Sequence, residues 1–325
     1  KVVHASTVAT NTILEQKGAT TGLLTTEGFR DVLEIGRLRR PSLYDVFWEK
    51  PQPLVPRRFR REVRERGTAD GTVIEALDEQ GVSAELAALR DHGVESVAVS
   101  FLHAYANPEH ELLVRRIAAE QFPELRVSLS HEVLPELREY ERTSTTVINA
   151  YVLPAVERYL ARLEQVLATL GVQSPLFVMQ SSGGIVPAAV ARKRPVSIVE
   201  SGPAAGALAT GYVAKQAGLE NVIAFDMGGT TAKACVVQDG VTEMTFEYEV
   251  GAGTNVASPL LRGGGYALRG PTISIAEVGS GGGSIAWVDE GGAMQVGPES
   301  AGASPGPACY GRGGTQPTVT DANVA

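Results

Sequence analysis

Residues 222–237 read Val-Ile-Ala-Phe-Asp-Met-Gly-Gly-Thr-Thr-Ala-Lys-Ala-Cys-Val-Val. An apolar run enters Asp226, a turn of Gly228-Gly229-Thr230-Thr231 follows, and a second apolar run leaves through Lys233. The pattern predicts strand, turn, strand. One carboxylate, two hydroxyls and several backbone N–H groups then gather at the rim of a sheet. Glycine lacks a Cβ, so the backbone at Gly228 and Gly229 is open to close approach and to φ > 0. Successive N–H groups in such a turn form an anion-binding concavity. Magnesium takes oxygen ligands and keeps several waters, so one carboxylate such as Asp226 suffices from the protein. These residue types suit a triphosphate and its Mg2+. The plain alternative is an ordinary hairpin with an acid before a Gly-Gly turn.

Two rival nucleotide motifs are excluded. A Walker loop needs Gly-Lys-Ser/Thr opening a helix, and that tripeptide does not occur. A dinucleotide fingerprint needs Gly-x-Gly-x-x-Gly opening a helix, whereas these glycines are adjacent and a strand-like run follows. Strand–turn–strand is the phosphate-gripping geometry of the actin-like ATPases, which this stretch resembles.

The 325 residues are 43% hydrophobic, enough for two domains with cores. A net charge of −8 argues against nucleic acid and acidic membrane surfaces as main partners. No apolar segment is long enough to span a bilayer and nothing reads as a secretory signal. Two cysteines, Cys235 and Cys309, make no disulfide framework. A reduced, cytoplasmic protein is the expectation. Both ends, Lys1 and Ala325, read as cut from a longer chain.

Along the chain, strand and helix patterns alternate. Strands are expected at 2–4, 21–26, 95–101, 126–130, 176–180 and 196–199. Helices are expected from Thr7 or Thr10 to Lys17 with Gly18 as the C′ residue, then at 29–37, 84–92 and 107–122. A long helical stretch covers 140–170, interrupted at Pro154, and a small-residue helix covers 204–217. The proline-rich, charged stretch 41–71 reads as an excursion outside the core, and its six arginines between Arg57 and Arg66 as a solvated face. Residues 251–314 hold 18 of the 36 glycines, with strand-like pieces at 272–278 and 284–288 embedded among them. The rhythm predicts an α/β layered fold with mostly parallel sheets.

With the hairpin placed, further motifs become recognisable. They are His4-Ala-Ser-Thr-Val-Ala-Thr-Asn-Thr12, Thr25-Thr-Glu-Gly-Phe-Arg-Asp-Val-Leu-Glu-Ile-Gly-Arg37, Ser100-Phe-Leu-His-Ala-Tyr-Ala-Asn-Pro-Glu-His110, Ser130-His-Glu-Val-Leu-Pro135, Glu139-Tyr-Glu-Arg142, Glu200-Ser-Gly-Pro203, and Gly297-Pro-Glu-Ser-Ala-Gly through Pro305-Gly-Pro-Ala-Cys-Tyr-Gly311. In this order they resemble the hydantoinase A / oxoprolinase family over essentially the whole chain. The resemblance implies an actin-like ATPase (ribonuclease H-like) fold, with an N-terminal region at 1–139 lacking its first strands and an ATPase domain at 140–325 incomplete at its C-terminus. It implies ATP and Mg2+ as cofactors and ring opening of a cyclic amide, such as a hydantoin or oxoproline, through a phosphorylated intermediate. A B-type subunit or domain is the implied partner. The alternatives are the ATPase subunit of an acetone- or acetophenone-type carboxylase, and a non-enzymatic actin-like ATP-binding module. The family's first phosphate turn would precede residue 1, so weak ATP binding is expected of this segment alone. Where the family frequently has Thr-Ser-Thr-Asp, this chain has Thr230-Thr-Ala-Lys233.

The candidate site residues follow. Asp226 is the metal ligand and, with Thr230 and Lys233, the catalytic set. Gly228, Gly229, Thr230 and Thr231 would face the phosphates, as would Ser201 and Gly202 at a helix N-terminus and Gly282 and Gly283 in the triple glycine. For Ser201 a plain N-cap is the alternative, and for the glycines a tight turn. His103, His110 and His131 lack metal-ligand spacing; His131 is kept as a weak substrate-site candidate. Glu139 to Arg142 are read as ion-pairing residues at a helix start, and Cys309 as structural.

Overall fold

The computed structural model describes residues 1–39, 44, 46–229, 231–251, 254–255, 264–278 and 280–325. The chain divides into two compact units. The first comprises residues 1–202, 245–251 and 261–272, the second 203–244, 252–260 and 273–325. The expected division at 139/140 is one of family regions and is a different partition.

The first unit is built on a parallel four-stranded sheet in the order Arg60–Val63, Thr21–Thr26, Ser96–Ser100, Arg126–Leu129. Ser96–Ser100 is buried at every position, which is why its sequence runs nearly continuously apolar. The helices Glu79–Asp91 and Glu109–Gln121 pack on each other and on this sheet, and the long helix Glu139–Thr169 lies across three of its strands. A second sheet pairs Val2–His4 in parallel with Leu176–Met179, which turns back antiparallel into Ile185–Pro187.

The long helix is continuous through Pro154 where an interruption was expected. An interior proline costs about 3 kcal/mol. Burial of Ile148, Val152, Val156 and Leu160, each worth roughly 1.5–3 kcal/mol, outweighs that locally. Its N-terminal half is buried yet polar. Thr143 Oγ1 meets Ser100 Oγ at 2.9 Å, and Ser144 Oγ donates to the Ala267 carbonyl at 2.6 Å. Thr145 Oγ1 accepts from the Arg269 N–H at 3.0 Å. Asn149 donates to Ser128 Oγ at 3.0 Å and accepts from the Val196 N–H at 3.1 Å.

Three other local readings are corrected. Residues 195–198 form a 3-10 turn, not a strand: Pro195 opens it and Asn149 takes the Val196 N–H. The stretch 55–63 is core, not excursion, because Val55, Phe59 and Val63 are buried and Arg60–Val63 is the edge strand. Its arginines are correspondingly paired. Buried Arg60 reaches Glu34 at 2.9 Å, and Arg57 chelates Asp31 at 2.9 Å. The first helix ends at Leu14, so Gly18 is not its C′ residue. A Cβ on Gly18 would lie 2.2 Å from the Tyr151 ring, so close packing demands the glycine.

In the second unit, Val222–Met227 and Ala232–Gln238 form an antiparallel hairpin with Asp226 opposite Lys233. Ala276–Val278 and Thr254–Asn255 extend this sheet. A separate hairpin pairs Ser284–Val288 with Met294–Ser300, and a short C-terminal helix, Val319–Val324, begins with a Thr318/Asp321 capping box. Ala204 and Ala207, on the helix Ser201–Gln216, pack on Ala224, Cys235, Ile273 and Ile275.

Asn149→Leu removes the acceptor for a buried N–H. It is expected to lower unfolding free energy by about 1–3 kcal/mol, read as a shift in the urea midpoint with an unchanged m-value.

Candidate functional site

The hairpin turn is the structural centre of the second unit. Gly228 donates its N–H to the Thr231 carbonyl at 2.9 Å, closing the turn. The triple glycine lies against it. Gly282 donates to the Gly228 carbonyl at 2.9 Å and Gly283 to the Gly229 carbonyl at 2.7 Å. Among the described residues, nothing accepts from the backbone N–H groups of Gly229 and Thr231. Thr230 lies outside the described residues.

The glycines have different physical reasons. A Cβ on Gly283 would come within 2.9 Å of the Gly229 carbonyl oxygen and 3.0 Å of Ser300 Oγ, and one on Gly282 within 2.8 Å of Thr320 Oγ1. Those two are glycine because the segments touch. A Cβ on Gly229 would meet no described atom within 4 Å, and its φ is not positive. Neither conformation nor internal packing requires glycine there, which leaves the backbone open to something outside the chain.

Asp226 and Lys233 stand opposite each other on the hairpin and so share a face. Both line a cleft of about 70 Å3, whose other wall is Pro203, Gly206, Ala207 and Thr210 of the helix. Asp226 is exposed. Lys233 forms an ion pair with Glu277 on the neighbouring strand, Nζ to Oε1 3.6 Å, with both side chains nearly buried. A larger cavity of about 400 Å3 in the same unit is lined by Glu299, Ser300, Pro305, Gly306 and Gly314, and no described residue of the turn lines it. Ser300 Oγ sits 3.4 Å from the Gly229 carbonyl.

Ser201 and Gly202 belong to the first unit. Ser201 is the first residue of the helix and does not cap it. Its hydroxyl donates to the Ser6 carbonyl at 2.9 Å and accepts from the Ser6 N–H at 3.2 Å. Gly202 lies against Thr7, with 3.3 Å left for a Cβ.

Sequence reasoning missed Glu277, Ser300 and Thr320. Thr320 donates its hydroxyl to the Gly282 carbonyl at 2.7 Å and its N–H to the same oxygen at 2.8 Å. The readable signal was the capping pattern Thr318-x-x-Asp321, which places Thr320 in a first helical turn. The backbone N–H of Cys309 and the Thr318 side chain hold the Asp321 carboxyl well below the usual range. A hydrogen bond between the exposed Cys309 thiol and the Asp321 carboxylate pushes the thiol up, which disfavours the thiolate a metal would need. Among the described residues no cluster of His, Cys, Asp and Glu is arranged to hold a metal ion. Mg2+ does not require one, and the single exposed carboxylate of Asp226 beside open turn amides fits its needs.

Other polar residues have partners within the fold. His131 Nδ1 lies 2.7 Å from Glu111, a fully buried carboxylate that also accepts from Ser130 and the Phe101 N–H. His110 meets buried Glu65 at 2.8 Å. Glu141 chelates Arg37 at 2.6 and 2.5 Å, while buried Arg142 donates to the Phe101 carbonyl at 2.6 Å. Gly302-x-Ser304-x-Gly306 has nucleophile-elbow spacing but lies in turns, not at a strand-to-helix junction.

Residues 142–325 match the Hydantoinase/oxoprolinase family model, and residues 1–122 match the Hydantoinase/oxoprolinase N-terminal region. The chain belongs to the hydantoinase/oxoprolinase family. It is 49% identical to an uncharacterized protein of Methanocaldococcus jannaschii, over 99% of this chain and 48% of the relative. It is 41% identical to the caprolactamase subunit alpha of Pseudomonas jessenii, over 99% of this chain and 45% of that subunit. The crystal structure of the ATP-dependent caprolactamase from the same organism superposes with a TM-score of 0.76 at 40% identity, covering 99% of this chain and 45% of the other. A nucleotide-free acetone carboxylase superposes with a TM-score of 0.81 at 26% identity, covering 98% and 45%. The chain thus spans less than half the length of these relatives. Its α/β actin-like ATPase fold, with mixed sheets and flanking helices, and its kinship with the ATP-binding subunits of the family follow from these likenesses. No described helix is long and apolar enough to cross a membrane.

Gly283→Ala forces the brace off the turn. It is expected to cost about 1–3 kcal/mol of unfolding free energy, measured by urea unfolding followed through Trp287, which lies in the same unit. An unchanged midpoint would mean the two segments are not mutually dependent.

Proposed function

We propose that the chain is the nucleotide-binding part of an ATP-dependent enzyme that activates the carbonyl oxygen of a small amide or ketone by phosphorylation. The observation that carries this is Gly229, a glycine that no contact with a described residue and no backbone angle explains. It sits two N–H groups wide at the rim of a braced turn, beside the exposed Asp226.

An amide or ketone oxygen is a poor leaving group. Its attack on the γ-phosphorus expels ADP and turns that oxygen into part of a good leaving group. Bound Mg2+ supplies charge neutralisation on the phosphates. The chain's own residues do the rest. The Gly229 and Thr231 amides, with the Thr230 and Thr231 hydroxyls, bind phosphate oxygens. Gly228, Gly282 and Gly283 fix the turn, so the amides need no reorganisation when charge develops. Asp226 holds the metal or its waters. Lys233, across the hairpin and tied to Glu277, sets the local charge, and it stands where the family frequently carries an acid. Ser201, bonded to the Ser6 backbone, and Gly202, packed against Thr7, form the start of the helix that lines the cleft further along. A B-type subunit completes the reaction, a reading supported by the caprolactamase relative being one subunit of an assembly.

Two outcomes share this chemistry. The 41% identity to the caprolactamase subunit supports lactam ring opening. The backbone agreement with acetone carboxylase, the higher of the two TM-scores, supports ketone carboxylation.

Phosphate release by the full-length protein with its partner subunit is the test. The rate is expected to rise with a lactam, hydantoin or oxoproline if ring opening is the reaction. It rises with a ketone plus bicarbonate if carboxylation is. Turnover indifferent to every carbonyl compound rejects the reading in favour of a non-enzymatic ATP-binding module. Asp226→Asn is expected to lower turnover about 100-fold or more with an unchanged circular dichroism spectrum; full activity in that variant also rejects it.

A further inference from the structure

The first unit holds a half-open cavity of about 270 Å3. Roughly 300–1,000 Å3 is usual for sites that take drug-sized ligands, so this one suits a single-ring molecule. Its lining is predominantly apolar, with Leu33, Leu54, Val147, Ile148 and Leu268 forming much of the wall. Two motifs that the nucleotide site does not use converge on it. The stretch ending Ile35-Gly36-Arg37 and the stretch Glu139 to Arg142 are locked together by the Arg37–Glu141 chelate at the cavity edge.

Charge at the cavity is balanced. Arg37, Arg39 and Lys50 are matched by Glu141, Glu247 and Glu249 among the described lining residues. Such a site gives no net attraction to an anion or a cation, and its apolar wall penalises a desolvated charge. Most polar groups there are already engaged. Ser144 donates to the Ala267 carbonyl, and the Tyr266 hydroxyl donates to the Gln52 carbonyl at 3.0 Å. The Tyr140 hydroxyl is different. It lines the cavity, and no described residue is hydrogen-bonded to it. Burial pushes its pKa up to about 12, so it stays a neutral O–H donor at physiological pH.

We propose that this cavity binds an uncharged, single-ring carbonyl compound, a lactam or a cyclic or aryl ketone, with the Tyr140 hydroxyl donating to its carbonyl oxygen. The assignment rests on the carbonyl-activation reading for its choice of ligand class. It stands on separate residues from the phosphate turn, so the two are tested separately. Trp48 lines the cavity and is half-buried, which provides a direct reporter.

The full-length chain with its partner subunit is labelled with fluorotryptophan, and the Trp48 fluorine resonance is assigned by its loss in Trp48→Phe. Titration with ε-caprolactam and, separately, acetophenone is expected to shift that resonance and saturate in the millimolar range. The zwitterionic ring-opened amino acid is expected to bind at least about tenfold more weakly. Tyr140→Phe weakens the carbonyl ligand about five- to tenfold and leaves toluene binding unchanged, which a merely structural tyrosine would not do. Which of the two carbonyl probes binds tells lactam from ketone. If neither moves Trp48 up to about 50 mM while either one stimulates phosphate release, the cavity assignment is overturned and the proposed function survives. If Trp48 responds but no carbonyl compound alters phosphate release, the cavity stands and the proposed function falls.

Discussion

The second unit depends on two short hydrogen bonds from Gly282 and Gly283 to the carbonyls of Gly228 and Gly229. A free Gly-Gly turn is floppy, because glycine loses the most backbone freedom on ordering. Here the ordering cost is met within the fold, and no ligand has to supply it. Two segments some fifty residues apart in sequence become one rigid rim, and Thr320 clamps the far side of the brace. Preorganisation of this kind is what makes backbone amides useful against developing charge. The same bonds explain why glycine recurs at 282 and 283, where any side chain would collide with the turn or with Thr320 and Ser300.

Much of this was legible in the residue order. The strands at 2–4 and 21–26 stand where their apolar pattern places them, and the hairpin around Asp226 has the expected strand–turn–strand form. The glycine density of 251–314 concealed real strands, as the embedded apolar pieces indicated. Most of the motifs that carried the family resemblance lie inside the two matched regions, 1–122 and 142–325, whereas Ser130 to Pro135 and Glu139 to Glu141 fall between them.

What the sequence hid was decided by partners distant along the chain. Val196 to Val199 has strand composition, but Asn149 captures the Val196 amide and Pro195 starts a tight turn. The arginine run at 57–66 looks like a wet surface, yet Glu34 and Asp31 neutralise it well enough to bury Arg60 in an edge strand. Gly18 resembles a helix stop and is a packing site for Tyr151. At the Gly228-Gly229 turn, the residue types led to the expectation of an anion site. They did not announce the division of labour, in which some glycines build the turn and Gly229 faces outward. That assignment needs the hydrogen-bond directions, which composition does not encode.

The polar inner face of the long helix has a mechanical consequence. Thr143, Ser144, Thr145 and Asn149 meet partners on four neighbouring segments, Ser144 and Thr145 sharing the one that holds Ala267 and Arg269. Sliding the helix along its axis by one turn, about 5.4 Å, would strand all of these groups at once inside a dry interior. An oily helix has near-equivalent seats one turn apart; this one has a single detent. Any stroke that accompanies a catalytic cycle therefore has to be carried by other elements, with this rod serving as the fixed frame against which they move.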